Sequence, residues 1–124
     1  MTDASPETLD EAALSSLAAV LEEDFAEVIS LYLQKTPELI KDIAKAYEAH
    51  NLIKAAEAAH TIKGSSSNLG LNRMVLLGSR LEDLLREEEP EPSIYDALYN
   101  QVAEEYTLVQ KCLLQYCRQH HITL

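Results

Sequence analysis

One histidine, His60, stands in a helical run whose small neighbours leave its ring free to react. At about 100° per residue, this helix directs one apolar or small stripe toward a core. The stripe consists of Leu52, Ala55, Ala56, Ala59, Ile62, Ser66 and Leu69. His60 falls roughly 120° from the centre of that stripe, so its imidazole is expected to face water. Lys63 and Gly64 are its i+3 and i+4 neighbours in space. The spacing therefore predicts a solvated imidazole flanked by a cation and by bare backbone.

The chemistry open to this imidazole is narrow. No second His or Cys stands three or four residues from His60, and Glu57 is the one acid of this helix within reach of the ring, so a metal site is not expected. The chain also lacks the glycine-rich nucleotide motifs, the His-Glu-x-x-His metal motif and the Gly-x-Ser-x-Gly nucleophile elbow. What remains is nucleophilic attack by a ring nitrogen.

A second helix is predicted to supply a partner for the ring. Leu69-Gly70 breaks the first helix, because glycine tolerates the left-handed conformation that ends helices. In an antiparallel hairpin that turns there, facing residues have numbers that sum to about 142. Gly64 then pairs with Gly78 for a close backbone approach, and His60 pairs with Glu82. A carboxylate there accepts a hydrogen bond from Nδ1–H, which fixes the tautomer and leaves a free lone pair on Nε2. The alternative for Glu82 is a solvated surface acid.

Residues 60–70 read HTIKGSSSNLG, which closely resembles the signature of histidine-containing phosphotransfer (HPt) domains. That signature is His-x-x-Lys-Gly followed by small residues and Leu-Gly or its equivalent. The resemblance covers roughly Phe25 to Arg86. Many members show Cys-x-x-Leu-Glu after the motif, and this chain departs from them by placing Gly78 at the cysteine position. The resemblance also implies that Glu82 is bonded to the phosphorylatable histidine, since members commonly carry Gln or Glu there.

The rest of the chain predicts an all-α fold. Ser5 and Pro6 are expected to cap and begin a short first helix, and a second spans 24–34. Thr36 and Pro37 form an N-cap and N1 pair that starts a new helix. The expected architecture is a single domain over residues 1–124. It is an up-and-down four-helix bundle of helices near 37–49, 52–68, 71–88 and 93–119, with the two N-terminal helices packed at one end.

Composition excludes several classes of function. With 124 residues and 47% hydrophobic content, one core is expected. The net charge of −11 disfavours nucleic acid, whose binding starts from clustered Lys and Arg. No apolar run approaches a membrane span, and the N-terminus lacks a secretion signal, so a cytoplasmic protein is expected. A monomer is expected as well. Cys112 and Cys117 are five residues apart on a helix, where they cannot close a disulfide.

The other histidines are assigned structural or terminal positions. His50 is expected to end a helix, where a histidine meets the helix dipole favourably. His120 and His121 lie in the C-terminal tail. Adjacent helical residues point about 100° apart, so that pair is not expected to bind a metal.

The sequence thus predicts a phosphocarrier. His60 is the nucleophile that takes a phosphoryl group from a receiver-domain aspartate of a hybrid sensor kinase and passes it to that of a response regulator. Lys63 neutralises phosphate charge, and Gly64 keeps the approach open. Arg86 either adds positive charge near the phosphate or pairs with Glu82 at the surface. No cofactor is expected in this chain, and the resemblance implies that Mg²⁺ is held by the receiver's acidic pocket.

A docking face is predicted around His60. On the helical wheel it comprises Ile53, Ala56, Glu57, Gly64 and Ser67. Ile53 lies about 20° from His60 and two turns before it, and is either an apolar anchor for the partner or packed against the helix ending at His50.

Two other functions remain open at this point. One is a helical interaction module that uses the same face to bind or sequester a receiver-type partner without phosphoryl transfer. The other is an enzyme, such as a phosphohistidine-dependent phosphatase, but the sequence offers it no second nucleophile and no metal cluster.

Overall fold

The computed structural model describes residues 6–124, and these form an all-helical chain. The helices are α1 (Glu11–Leu21), α2 (Phe25–Glu48), α3 (Leu52–Asn68), α4 (Asn72–Leu85) and α5 (Pro92–Gln119). A 3₁₀ turn, Glu22–Asp24, joins α1 to α2, and no strand occurs among the described residues. The predicted all-α class is confirmed.

Helices α2 to α5 pack as the predicted four-helix bundle around one core. Short connections make sequential helices antiparallel neighbours: α3 packs against α2 and α4, and α4 against α5. The largest fully buried side chains come from every helix and include Leu14, Phe25, Ile29, Ile43, Ile62, Met74, Leu81, Val102 and Leu113. Leu14 is the contribution of α1, which covers one end of the bundle.

The prediction that a helix ends before Thr36 and Pro37 is wrong. Both residues lie inside α2, which runs unbroken from Phe25 to Glu48, so one N-terminal helix precedes the bundle and not two. A proline in a helix interior leaves the carbonyl four residues earlier without its N–H donor. Here that carbonyl, Leu33 O, accepts a hydrogen bond from Tyr106 Oη of α5 at 2.9 Å. A tertiary contact therefore compensates for the missing donor.

The predicted start of the first helix is also wrong. Ser5 lies outside the described residues, and Pro6 precedes the helix. Asp10 caps α1 instead, accepting from the Ala13 N–H at 3.1 Å. Its own N–H donates to Gly70 O at 2.8 Å, which ties the N-terminal segment to the turn between α3 and α4.

That turn depends on glycine, as predicted. Gly70 has φ of 71°, and a Cβ there would lie 3.0 Å from the backbone oxygen of Asp10. The end of α2 uses a comparable turn with a histidine. His50 has φ of 59°, its N–H donates to Tyr47 O, and Asn51 N–H donates to Ala46 O. This is a Schellman motif, and it gives His50 a structural role at the helix end.

The bounds of two helices differ slightly from the predicted ones. Helix α5 begins at Pro92 with Glu91 at the N-cap, one residue earlier than predicted, and α4 ends three residues earlier, at Leu85. Both cysteines are free thiols. Across residues 6–124, no helix is long and apolar enough to cross a membrane, and no group of three His, Cys, Asp or Glu side chains is arranged to hold a metal.

Candidate functional site

Helix α3 presents His60 to solvent at mid-length. The helix is capped by Asn51, whose side chain accepts from the Lys54 N–H at 3.1 Å. Its buried face is built of small residues, namely Ala55, Ala56, Ala58, Ala59 and Ser66, with Ile62 as the large member. The His60 side chain lies off this face and is 61% exposed.

One carboxylate from α4 holds the imidazole. Nδ1 of His60 is 3.2 Å from both Oε1 and Oε2 of Glu82. Because a carboxylate only accepts, Nδ1 carries the proton, and the lone pair of the neutral ring is on Nε2. Glu82 itself is not a solvated surface acid, since its side chain is only 8% exposed. The structure thus brings together the two residues that the hairpin register paired.

Two cations bind the same carboxylate. Lys63 Nζ lies 2.9 Å from Oε1, while Arg86 places Nη2 at 2.9 Å and Nε at 3.0 Å from Oε2. Of the two positions that the sequence left open for Arg86, the structure shows the pairing with Glu82. Lys63 is 30% exposed and Arg86 is 48% exposed, so both cations also border solvent beside the ring.

The electrostatics of the site are set by these three donors. Burial acts to raise the pKa of Glu82, but hydrogen bonds from Lys63, Arg86 and His60 outweigh it and lower the pKa to about 2. Glu82 is therefore an anion at neutral pH. The negative charge of Glu82, next to Nδ1–H, can also stabilise positive charge that develops on the imidazole during attack by Nε2.

The predicted approach of Gly64 to Gly78 is wrong. A Cβ built on Gly64 meets nothing within 4 Å, so this glycine faces open space. A Cβ on Gly78 would instead lie 3.6 Å from Lys63 Cβ and 3.7 Å from Ala59 O. The register differs by about one residue at this level, which turns Gly64 away from α4 and leaves bare backbone beside His60.

Four of the five residues predicted for the docking face are exposed. Ile53 is 72% exposed and is not packed against the end of α2, and Glu57, Gly64 and Ser67 are also at the surface. Ala56 is fully buried, so its assignment to this face is wrong. It precedes Lys63 by one heptad and therefore shares the side of α3 on which α4 packs.

A protein-family model also matches this chain. The Hpt domain model matches residues 27–112 of the chain, which include α3, α4 and most of α2 and α5. The chain belongs to the Hpt domain family. A search of curated protein sequences gave no significant match.

A solved structure agrees with this Hpt assignment. The chain resembles the histidine-containing phosphotransfer protein B (HptB) from Pseudomonas aeruginosa PAO1, with a TM-score of 0.83 and 25% sequence identity. The alignment covers 93% of this chain and 98% of that one. Hpt domains are histidine phosphocarriers of phosphorelays, and their partners are receiver domains.

Sequence reasoning missed one feature of this Hpt domain. A groove of about 360 Å³ runs between α2 and α3, and its walls are mostly apolar. Leu31 and Leu39 line it on α2, while Thr61 and Ser65 line it on α3 directly beyond His60. The α2 wall continues past Pro37 to Leu39, and the predicted helix ended before that proline. The available sequence signal was Leu31, an apolar residue that lies outside the buried stripe of α2 and is 45% exposed in the structure.

Proposed function

We propose that this Hpt domain carries a phosphoryl group on Nε2 of His60 and shuttles it between receiver-domain aspartates, from a hybrid sensor kinase to a response regulator. The observation that supports this most directly is the hydrogen bond of His60 Nδ1 to a buried, ionised Glu82, combined with the 61% exposure of the ring. A reactive nitrogen is held in one tautomer and remains open to a protein partner.

The transfer step is a simple displacement. The Nε2 lone pair forms a bond to phosphorus as the bond from phosphorus to the aspartyl oxygen breaks, and the electrons of that bond return to the aspartate carboxylate. Nδ1 keeps its proton, and Glu82 balances the positive charge on the ring. Transfer to a second aspartate is the same step in reverse. Phosphoryl transfer depends mainly on positioning and charge stabilisation, so few side chains are needed.

Lys63 and Arg86 are proposed to serve both states of the site. Before transfer they neutralise Glu82, at 2.9 Å each. After transfer, the partly exposed Lys63 ammonium is a mobile point charge that reaches the phosphoryl oxygens while Arg86 keeps Glu82 paired. Any Mg²⁺ belongs to the receiver partner, and no cofactor is assigned to this chain.

The receiver is proposed to dock on the exposed residues around His60, which are Ile53, Glu57, Gly64 and Ser67. Gly64 has open space above it, which lets the partner's aspartyl phosphate approach the ring. The protein is proposed to act as a monomer in the cytoplasm.

Phosphoryl acceptance tests the proposal. A receiver domain charged with labelled phosphate should transfer an acid-labile, base-stable label to the wild-type chain. His60→Gln should abolish this transfer with unchanged circular dichroism, since a 61% exposed side chain leaves no cavity when replaced. His120→Gln is the matched control, because it removes another exposed histidine and should label normally.

Label retained in His60→Gln would contradict the assignment of the nucleophile. Tight receiver binding with no labelled histidine in the wild-type chain would favour the alternative, a module that binds or sequesters a receiver-type partner without transfer.

A further inference from the structure

A second surface feature lies at the end of the bundle where α2 ends and α3 begins. It is a crevice of about 380 Å³, which falls near the lower end of the range of about 300–1,000 Å³ for small-ligand clefts. Its walls are formed by Tyr47, Glu48, His50, Leu52, Glu88, Pro90 and Pro92. Most of its surface is apolar, and its size suits one or two side chains of an incoming segment.

The charged groups of the crevice have one sign. Among the described residues that line it, Glu48 and Glu88 are the charged side chains, and no lysine or arginine is present. The loop that forms one wall reads Glu87-Glu88-Glu89-Pro90-Glu91, with all four glutamates exposed. The C-terminus of α2 and the N-termini of α3 and α5 all lie here, so helix dipoles of both signs meet and the glutamates set the sign of the charge. The crevice therefore complements a positively charged group.

The walls are rigid before anything binds. Pro90 and Pro92 restrict the backbone of the loop. Tyr47 stacks on Tyr95 with ring centroids 3.5 Å apart and an interplanar angle of 5°. His50 is fixed by the Schellman turn that ends α2. A preformed site loses little conformational entropy on binding, and a tyrosine ring in its wall attracts cations.

We propose that this crevice binds a basic peptide segment of a protein partner, one in which a lysine or arginine stands beside an apolar side chain. The apolar side chain packs on Leu52 and the prolines, and the cation pairs with Glu48 and Glu88. Methylammonium matches only the charge, and an apolar ligand matches only the walls. The mixed lining thus selects a segment with both properties.

The position of the crevice indicates where such a segment would come from. Leu52 in its wall is eight residues before His60, or about 12 Å along the helix. The next residue, Ile53, is 72% exposed on the face proposed for receiver docking. A receiver that reaches His60 can therefore extend a basic segment to the crevice. This assignment to the receiver rests on the proposed function, whereas peptide binding itself does not.

The test is a titration of the unphosphorylated, isotope-labelled full chain with a short capped peptide in which lysine and leucine alternate. Chemical shifts should change at Tyr47, Leu52 and Glu88 and leave α1 unaffected. Glu48→Gln combined with Glu88→Gln should weaken binding about fivefold, because exposed ion pairs each contribute modestly. Glu23→Gln combined with Glu104→Gln is the matched control, since it removes the same charge from exposed glutamates elsewhere.

Specific outcomes would overturn the inference. Equal weakening by both double variants would show general attraction to an acidic protein. Equal binding of a peptide with serine in place of leucine, or of methylammonium, would show that the apolar walls take no part. The titration uses no phosphate, so it is independent of phosphoryl transfer. If the peptide does not bind the wild-type chain but His60 is labelled normally, the crevice proposal is rejected and the proposed function remains intact.

Discussion

Two buried glutamates of this Hpt domain have opposite electrostatics. Glu82 on α4 is 6% exposed and Glu105 on α5 is 3% exposed, so burial alone acts on both in the same direction. The pKa of Glu82 nevertheless falls to about 2, whereas burial raises the pKa of Glu105, with Thr8 and Arg73 lowering it only in part. The comparison shows that the partners of a buried carboxylate, and not burial alone, decide the direction in which its pKa moves.

The number of donors explains the difference. Glu82 accepts from His60 and Lys63 across the helix pair and from Arg86 one turn along its own helix. Glu105 has two weaker partners, Thr8 and Arg73, whose Nε lies 3.4 Å from Oε1, and its Oε2 has no hydrogen-bond partner among the described residues. The first arrangement keeps an anion ready beside a nucleophile. The second leaves a buried charge poorly compensated, which costs stability.

The same substitution at both positions tests this comparison directly. Glu82→Met should lower the free energy of unfolding by about 2 kcal/mol at pH 7, because it removes the anion shared by three donors, all of them partly solvated. Glu105→Met should raise it by about 1 kcal/mol, because an apolar side chain replaces a poorly paired buried charge. Urea denaturation of both variants measures the two values.

A loss of stability in Glu105→Met as large as that in Glu82→Met would mean that Arg73 and Thr8 fully compensate Glu105. Phosphoryl acceptance provides a second readout. It should be unchanged in Glu105→Met and slower in Glu82→Met, where the ring loses its fixed orientation.

The stabilities of the two variants should depend on pH on opposite sides of pH 4.5. For Glu82, the folded pKa lies below its ordinary value of 4.5, so its contribution is present above about pH 4.5 and is lost as pH falls toward 2. For Glu105, the folded pKa lies above 4.5, so its penalty appears as pH rises from 4.5 through that raised pKa. The deficit of Glu82→Met should shrink below pH 4.5, and the gain of Glu105→Met should grow above it.

Denaturation series at several pH values check this expectation. A pH-independent gain in Glu105→Met would assign the effect to packing and not to charge.

Local features of this fold were predictable from sequence, and tertiary compensations were not. The spacing of apolar residues predicted the position of α3, and Gly70 predicted its end. Both were predictable because helix periodicity and a left-handed turn are local properties. The pair His60 and Glu82 followed from the register of one hairpin. The continuity of α2 through Pro37 did not follow, because it depends on Tyr106, which lies 69 residues further along the chain and donates to Leu33 O.

The sequence assigned Ala56 both to the core-facing stripe and to the docking face, and it did not predict the burial of Glu105. A helical wheel gives the direction of Ala56 but not the side from which α4 approaches. Glu105 is polar on a helix whose stripe is otherwise apolar, and its burial requires the N-terminal segment that lies across Arg73, where Glu7 O accepts from the Arg73 N–H.

The smallest expected effect on stability comes from a substitution on the proposed docking face, away from the two buried glutamates. Ile53→Asp should weaken receiver binding about tenfold, or about 1.4 kcal/mol, because a charge replaces the apolar anchor on the docking face. Its melting temperature should hardly change, since Ile53 is 72% exposed. Val20→Asp is the matched control, because Val20 is 78% exposed on α1, away from His60, and should leave binding unchanged. Calorimetry of binding and unfolding gives both quantities. Equal loss of affinity in the two variants would show that added negative charge acts at long range, and unchanged affinity in Ile53→Asp would move the docking face toward the groove between α2 and α3.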